Sequence, residues 1–373
     1  MPYRGDAVST EAAYTWIDSD AALEAAARDW HGVIAIDTEF MRTDTFYPIP
    51  GLYQIANRAH VWLIDPLAIE AWSPLLRVLD DAQTVKVMHA CSEDLELLSH
   101  HLGVQPNNLF DTQLAYAFLS EHFSMSYANL AKQILNVNLG KHQTRSNWLR
   151  RPLSAEQLHY ASEDVVYLIA LFEKISATLN AEGRWQWFAE DMAVRGRFQA
   201  TDPQAYFANI KQAWKLDGQQ LAVLKALCAW RERQAMREDV PRSRVVWDAH
   251  LFAFATYADL QLGTIEEVLP RPIARRYAEA LARAHTEGMA LPVETPLPRP
   301  LTQGQGSVLK HLRQIARDEA LHLGMAPELL ARKRSVEKCF RQFHATGELS
   351  LEYRGWRSAL LGNAFLDVLG DSR

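Results

Sequence analysis

The sequence has few cysteines and no long apolar runs. Its three cysteines, in 373 residues, lie far apart and form no C-x-x-C pair, which argues against a disulfide framework and a cysteine-based zinc site. No apolar run reaches 18 residues, and the N-terminal 13 residues lack the apolar core of a secretory signal. We therefore expect neither a membrane span nor export, and we expect a cytoplasmic protein.

Nucleotide-binding glycine motifs are also absent. Neither a Walker sequence nor G-x-G-x-x-G spacing occurs near a strand-to-helix junction, so we expect no nucleotide cofactor. With 48% hydrophobic residues, the chain is able to bury the cores of two or three domains. The net charge of −6 hides an asymmetry, because residues 1–200 carry −10 and residues 201–373 carry +4. The modest basic excess of the second part favours contact with a polyanion only weakly.

Strand and helix patterns alternate through the first 180 residues. The predicted strands are 33–40, 52–56, 60–64, 84–89 and 109–110, and the predicted helices are 74–79, 92–98, 112–119, 126–135 and a long one from 154 to about 172. The second and third strands, which follow the first closely, suit a meander of antiparallel strands. The fold class is therefore α/β with a mixed sheet.

The start of the long helix is the clearest signal in this part of the chain. Ser154 and Gln157 have the spacing of a capping box. Tyr160 and Asp164 are four residues apart, which places them on one face of the helix. An apolar stripe on another face consists of Leu158, Ala161, Val165, Leu168 and Leu171 or Phe172.

Acidic residues follow the strands at points where they could meet. Asp37 and Glu39 end the first strand and project from one face of it, because strand side chains alternate. Asp94 lies at a predicted helix start that Ser92 could cap, and Asp164 lies on the long helix. Carboxylates are the ligands that Mg²⁺ and Mn²⁺ prefer, and two such ions promote in-line attack on a phosphodiester. We therefore formulate the hypothesis of a two-metal phosphodiesterase.

Three sequence runs resemble a known family. I-D-T-E-F at 36–40, H-A-C-S-E-D-L at 89–95 and Y-A-S-E-D-V at 160–165 resemble the exonuclease motifs of the DEDD superfamily. The tyrosine four residues before the last aspartate is typical of the subfamily that includes ribonuclease D. The run from Leu139 to Leu153 resembles the segment that these enzymes carry before the last motif.

The tail resembles the same family. Residues 211–290 are similar to its helicase-and-RNase-D C-terminal (HRDC) domain, and residues 307–373 are similar to a degenerate second copy. The resemblance implies a ribonuclease-H-like exonuclease domain at 1–200, helical bundles at 205–290 and 307–373, and a stiff Pro-rich linker at 291–306. Each bundle could contact RNA or serve only for packing.

The resemblance also implies an activity and roles for single residues. The expected enzyme is a monomeric exoribonuclease that shortens RNA from its 3′ end, with tRNA precursors as substrates. Asp37, Glu39 and Asp164 would hold one metal ion, and Asp37 would bridge to a second ion served by Asp94. Tyr160 would orient the attacking water and help to deprotonate it.

Contacts with the RNA are less well defined by the sequence. Phe40 could stack on the terminal base or belong to the core. In the basic segment before the long helix, Lys141, Arg145 and Arg151 could bind phosphates, and Trp148 could stack on a base or pack internally.

A further basic stretch follows a predicted tail helix. Its members are Arg231, Arg233, Arg237, Arg242 and Arg244, with Trp230 and Trp247 between them. Two other functions remain open: a DNA-directed 3′-5′ exonuclease with the same metal chemistry, and a non-catalytic RNA-binding adaptor.

Overall fold

The computed structural model describes residues 14–140 and 146–371, which form two compact units. Unit 1 contains the described residues of 1–41, 50–198 and 301–373, and unit 2 contains 42–49 and 199–300. Among the described residues, no helix combines the length and apolarity needed to cross a membrane.

A mixed sheet forms the centre of unit 1, as the sequence predicted. Its described strands are β1 (Tyr14–Ile17), β2 (Val33–Met41), β3 (Ile49–Ala56), β4 (Val61–Ile64), β5 (Val85–Met88) and β6 (Leu109–Asp111). Their order is β1-β4-β3-β2-β5-β6. β1 is parallel to β4, β4 is antiparallel to β3, and β5 is parallel to both β2 and β6. Within the predicted meander, the antiparallel pairing of β3 with β4 is confirmed.

The strand β2 is covered on both faces before it reaches its acidic end. Ile34 and Ile36 point into one hydrophobic cluster, whereas Ala35 points into another on the opposite face. By the same alternation, Asp37 and Glu39 share the face of Ala35, and Thr38 points to the other side. This alternation decides which helix each side chain can meet.

Eight α-helices surround the described part of this sheet. They are α1 (Asp20–Ala27), α2 (Ser73–Asp80), α3 (Ser92–Leu97), α4 (Thr112–Ala117), α5 (Tyr127–Leu135), α6 (Ala155–Val166), α7 (Leu168–Ala181) and α8 (Trp185–Arg195), and a π-helical turn, Leu98–Leu102, follows α3. The predicted capping box of Ser154 and Gln157 is confirmed at the start of α6. Ser92 is not the cap of α3, because Cys91 occupies that position.

The long helix predicted from residue 154 to about 172 is two helices. α6 ends at Val166 and α7 begins at Leu168, with Tyr167 between them at φ −102° and ψ −4°. The apolar stripe continues across the break, since Ala161, Val165 and Leu168 are all buried. The periodicity therefore gave the correct buried face but not the interruption.

Unit 2 is a helical bundle with one long central helix. Its helices are α9 (Gly218–Glu238), α10 (Arg242–Val245), α11 (Asp248–Phe254), α12 (Leu262–Val268) and α13 (Arg271–Met289), with 3-10 turns at Tyr206–Asn209 and Ala213–Lys215. Asp217 and Gln220 form a capping box at the start of α9. The segment 42–49 belongs to this unit because Phe46 packs into its core and the amides of Phe46 and Tyr47 donate to Asp239 Oδ1, each at 3.0 Å.

Two arginines of the predicted basic stretch, which runs from the C-terminal half of α9 into α10, are held in ion pairs within the unit. Arg231 is only 1% exposed and is paired with Glu232 and Asp248, so it is a structural residue. Arg242 pairs with the same glutamate at 2.7 Å. The arginine spacing indicated helix and charge correctly but could not show which guanidinium groups turn inward.

The C-terminal helices belong to unit 1. They are α14 (Gln303–His322), α15 (Glu328–Ala331), α16 (Lys333–Thr346) and α17 (Trp356–Gly370), with a 3-10 turn at Leu351–Tyr353. The ring of Trp356 stacks on that of Trp187 of α8, with centroids 5.1 Å apart. Arg357 forms a bidentate ion pair with Asp191, also on α8, at 2.8 Å for each bond. The C-terminal helices are thus fixed to α8 by a buried ionic and aromatic contact.

Candidate active site

Three carboxylates converge at the end of β2. Asp37, Glu39 and Asp164 are half-buried, and each offers an oxygen atom that lies within 4.8 Å of the others. The first two come from the strand face described above, and Asp164 comes from the last turn of α6. Oxygen donors in this number and at this spacing fit a hard divalent cation such as Mg²⁺ or Mn²⁺.

The metal-free cluster is electrostatically unfavourable. Burial, together with the charges of Asp94, Asp164 and Glu39, raises the pKa of Asp37 well above its usual value. Burial and the neighbouring aspartates raise the pKa of Glu39 to about 9. Burial also raises the pKa of Asp164 to about 7, although a hydrogen bond with Tyr160 opposes this increase. Among the described residues, no cationic side chain is a cause that lowers the pKa of Glu39 or Asp164, and a bound cation would relieve this repulsion.

Metal-free protein should therefore lose stability as the pH rises. A carboxyl group whose folded pKa is raised stabilises the fold fully below its unfolded value, near 4, and this contribution is lost as the pH passes through the folded value. For Glu39 and Asp164 the loss runs from about pH 4 to about pH 9. In EDTA, the melting temperature of the wild type should fall between about pH 4 and about pH 9. The fall should be larger than that of the Glu39→Gln protein over the same range.

A divalent cation should reverse this trend, because it binds the deprotonated carboxylates. At about 100 times its Kd, the cation adds about 2.7 kcal/mol to the free energy of unfolding. We expect Mn²⁺ to raise the melting temperature more at pH 8.5 than at pH 5.5, both as measured by scanning calorimetry. An increase of equal size at both values would contradict the assignment of the cation to these carboxylates.

Asp94 approaches the cluster from the other side of β2. It is the third residue of α3 and is buried, and it accepts a hydrogen bond from the hydroxyl of Thr38. Burial raises the pKa of Asp94 to about 6. Asp94 thus lies outside the set of three carboxylates but close enough to repel Asp37. Its contact with Thr38 follows from the alternation of β2, which turns Thr38 toward α3.

Tyr160 lies one turn before Asp164 and bonds to its carboxylate. Burial and the charges of Asp164 and Glu39 raise the pKa of Tyr160 above its usual value. The hydroxyl therefore keeps its proton, and it is suited to hold a water molecule in place rather than to deprotonate it.

Trp148 is a packing residue rather than a base-stacking one. Its side chain is only 4% exposed, and its ring centroid lies 6.1 Å from that of Tyr160. A ring buried in this way has too little free surface for a nucleotide, which corrects the predicted RNA contact. Its position is tightly constrained, because a Cβ atom at Gly51 would lie 2.5 Å from the Cβ of Trp148.

The guanidinium group of Arg151 makes structural contacts, which argues against the phosphate contact that the sequence left open. Its guanidinium group donates to both carboxylate oxygens of Asp65 at 2.8 and 2.5 Å, and to the carbonyl oxygens of Trp148 and Gly51 at 2.8 Å each. These bonds occupy the group that was predicted to bind phosphate. Arg151 instead holds the segment that supports Tyr160, and the 86-residue separation from Asp65 left no sequence signal for this contact.

The other predicted RNA contacts remain predictions. Phe40 is half-buried and packs against the hydrophobic cluster on the Thr38 face of β2, so part of its ring is available. Lys141 and Arg145 lie outside the described residues. His89, in the second motif, is held by the hydroxyl of Thr112 at 2.9 Å and by the carbonyl of Met125 at 3.0 Å.

Comparisons of this chain with known protein families and with individual proteins agree with one another. Residues 14–180 match a family described as 3′-5′ exonuclease, and residues 220–284 match the HRDC domain. The chain is 42% identical over 366 residues to ribonuclease D of Pseudomonas paraeruginosa, covering 95% of this chain and 97% of that protein. It is 33% identical over 371 residues to ribonuclease D of Escherichia coli, covering 95% and 98%.

A solved structure supports the same relation. The crystal structure of Escherichia coli RNase D, described as an exoribonuclease involved in structured RNA processing, superposes with a TM-score of 0.89 at 31% identity. The match covers 96% of this chain and 99% of that one.

Proposed function

The chain belongs to the ribonuclease D family, and from this premise we propose that its acidic cluster trims RNA by metal-dependent hydrolysis. It is a 3′-5′ exoribonuclease that binds RNA. The observation that carries the proposal is the convergence of Asp37, Glu39 and Asp164 within 4.8 Å, with Tyr160 bonded to the last of them.

Each residue of the cluster has a role in the proposed reaction. Asp37, Glu39 and Asp164 would bind one divalent ion, Mg²⁺ or Mn²⁺. Asp37 and Asp94 would together bind a second ion. Bound ions of this kind acidify an attacking water and stabilise the leaving oxygen of a phosphodiester. Tyr160 orients that water through its protonated hydroxyl. Attack at phosphorus breaks the bond to the 3′ oxygen of the preceding nucleotide and releases a nucleoside 5′-monophosphate.

We propose 3′-extended tRNA precursors as substrates, because the similar Escherichia coli enzyme is described as acting on structured RNA. The test compares a 3′-extended tRNA transcript with a DNA strand of the same sequence, each labelled at its 5′ end. Shortening of the RNA that stops near the mature 3′ end supports the proposal. Equal degradation of the DNA would favour the DNA-directed alternative, since only 2′-hydroxyl contacts separate the two.

The domain boundaries predicted from the sequence are also proposals. We propose an exonuclease domain at 1–200, HRDC-type bundles at 205–290 and 307–373, and a linker at 291–306. The HRDC match at 220–284 supports the second of these. In the structure, α14 begins at Gln303, within the proposed linker, and the compact units differ from this scheme in that 42–49 belongs to unit 2 and 301–373 to unit 1. Limited proteolysis that first cuts within the linker would support the scheme.

Unit 2 contains a pocket that we propose as an RNA contact. The cavity measures about 540 Å³ and is lined by aromatic and cationic side chains, among them Tyr206, Phe252, Lys211, Arg242 and Trp247. Trp247 is 64% exposed, which leaves its ring free to stack on an unpaired base, and Lys211 is exposed at the same site to attract phosphate.

Replacing Trp247 by Ala should weaken RNA binding by about 1–3 kcal/mol, the usual contribution of one stacked base. The measurement is fluorescence anisotropy with labelled single-stranded RNA, in an Asp37→Asn background that prevents cleavage. Tyr257→Ala is the matched control, because Tyr257 is an exposed aromatic residue of the same unit that does not line the cavity. Equal losses in both variants would remove the pocket from the RNA path.

A further inference from the structure

The break between α6 and α7 contains an inserted side chain. In an uninterrupted α-helix the amide of Tyr167 would donate to the carbonyl of Glu163, four residues earlier. Here the hydroxyl of Tyr127 lies between these two groups: it accepts from the amide of Tyr167 at 3.2 Å and donates to the carbonyl of Glu163 at 2.9 Å. A side chain of α5 thus replaces one turn-closing backbone bond, at the residue just before Asp164.

This insertion accounts for the interruption of the helix. A side chain that enters the backbone hydrogen-bond ladder is a known cause of helix kinks. Tyr167, at φ −102° and ψ −4°, departs from ordinary helical angles at this point. Buried apolar residues continue on both sides of the break, so the packing of the apolar stripe does not by itself require it.

Tyr127 is held firmly enough to set the position of the turn. It is the first residue of α5, whose N-cap Ser126 accepts a hydrogen bond from the amide of Asn129. Its ring packs against His89, with centroids 5.8 Å apart, and both ring nitrogens of His89 are hydrogen-bonded. Burial raises the pKa of Tyr127 well above its usual value, so the hydroxyl keeps the proton that it donates.

We propose that Tyr127 is a positioning residue for the active site: its hydroxyl fixes the direction of the last turn of α6 and thereby places the carboxylate of Asp164 beside Asp37 and Glu39. Asp164 directly follows the carbonyl group that Tyr127 holds. The three carboxylates come from two separate elements, so a small rotation of this turn would change their spacing. The inference rests on the proposed metal-dependent function.

The test replaces Tyr127 by Phe, which keeps the ring and its packing on His89 but removes the inserted hydroxyl. Loss of a side chain that orients a metal ligand costs about tenfold in metal affinity or activity, and we expect this loss both in kcat and in the Mn²⁺ affinity measured by calorimetry without RNA. The KM for RNA should change by less than about twofold, because no substrate contact is removed.

Tyr353→Phe is the matched control. It also removes a buried tyrosine hydroxyl that donates to a backbone carbonyl, that of Leu330 at 2.5 Å, but it lies among the C-terminal helices. Both variants should lower the melting temperature by a similar amount, because each removes a tyrosine hydroxyl from buried hydrogen bonding. Only Tyr127→Phe should lose Mn²⁺ affinity.

Two results would overturn the inference. One is a Tyr127→Phe protein whose Mn²⁺ affinity and kcat match those of the wild type, and the other is an equal reduction in both tyrosine variants. Failure of the wild type to shorten RNA with any metal would instead contradict the proposed function. The Mn²⁺ calorimetry would still decide whether Tyr127 positions Asp164.

Discussion

The Asp37→Asn protein should be inactive as a nuclease and, without metal, more resistant to heat than the wild type. Asp37 is the carboxylate whose pKa is raised by burial and by all three other acids, Asp94, Asp164 and Glu39. Removing its charge removes a ligand from the proposed metal site. We expect kcat to fall by about 10³-fold, which corresponds to about 4 kcal/mol of lost transition-state stabilisation.

The gain in stability has the same origin. With an amide at position 37, the fold no longer confines a fourth negative charge beside Glu39 and Asp164, and this benefit grows as the pH rises through their raised pKa values. Scanning calorimetry in EDTA at pH 8 should show the difference. Asp65→Asn is the contrasting control, because its carboxylate pairs with Arg151 and its loss should lower the melting temperature. A melting temperature of Asp37→Asn below that of the wild type would contradict this explanation.

Replacing Arg357 by Ala should have the largest effect on stability. Arg357 is 6% exposed and Asp191 is 5% exposed, and the guanidinium group also donates to the carbonyl of Leu329 at 2.9 Å. Arg357→Ala leaves the buried Asp191 with weaker partners, Arg195 and the indole N–H of Trp356, each at 3.3 Å. Removing one partner of a buried ion pair typically costs about 3–5 kcal/mol. In chemical denaturation, the C-terminal helices and α8 should therefore unfold at a much lower denaturant concentration than in the wild type.

An exposed arginine nearby provides the comparison. Arg354 pairs with Glu348 at 2.6 Å, but both side chains are open to solvent. Arg354→Ala should cost less than about 1 kcal/mol, as is usual for surface pairs. If both variants lose the same free energy of unfolding, the C-terminal helices are not held to α8 by this ion pair.

The directions of the clustered acidic side chains were predictable because the spacing within each pair is local. Asp37 and Glu39 alternate on one strand, and Tyr160 and Asp164 are one helical turn apart, so the periods of strand and helix fix their relative directions. The mixed sheet and the capping box of Ser154 were predictable for the same reason. In each case the signal lies within a few consecutive residues.

What the sequence did not show depends on contacts between distant residues. In the sequence Arg151 resembles a free cation, but in the fold it is paired with Asp65. Arg231 likewise resembles a surface arginine, but in the fold it is buried and paired with Asp248. The break before α7 requires Tyr127, which lies 40 residues earlier than Tyr167. Neither hydrophobic periodicity nor composition predicts these contacts, because they depend on tertiary packing.

The most direct test of the proposed activity follows a 3′-extended tRNA transcript labelled at its 5′ end, incubated with Mg²⁺, with Mn²⁺ and with EDTA. We predict a ladder that shortens from the 3′ end only when a metal is present, with release of nucleoside 5′-monophosphates, and no ladder with Asp37→Asn protein. Shortening in EDTA, equal shortening by Asp37→Asn, or RNA that is bound but never shortened in any metal would contradict the proposed role of the carboxylates.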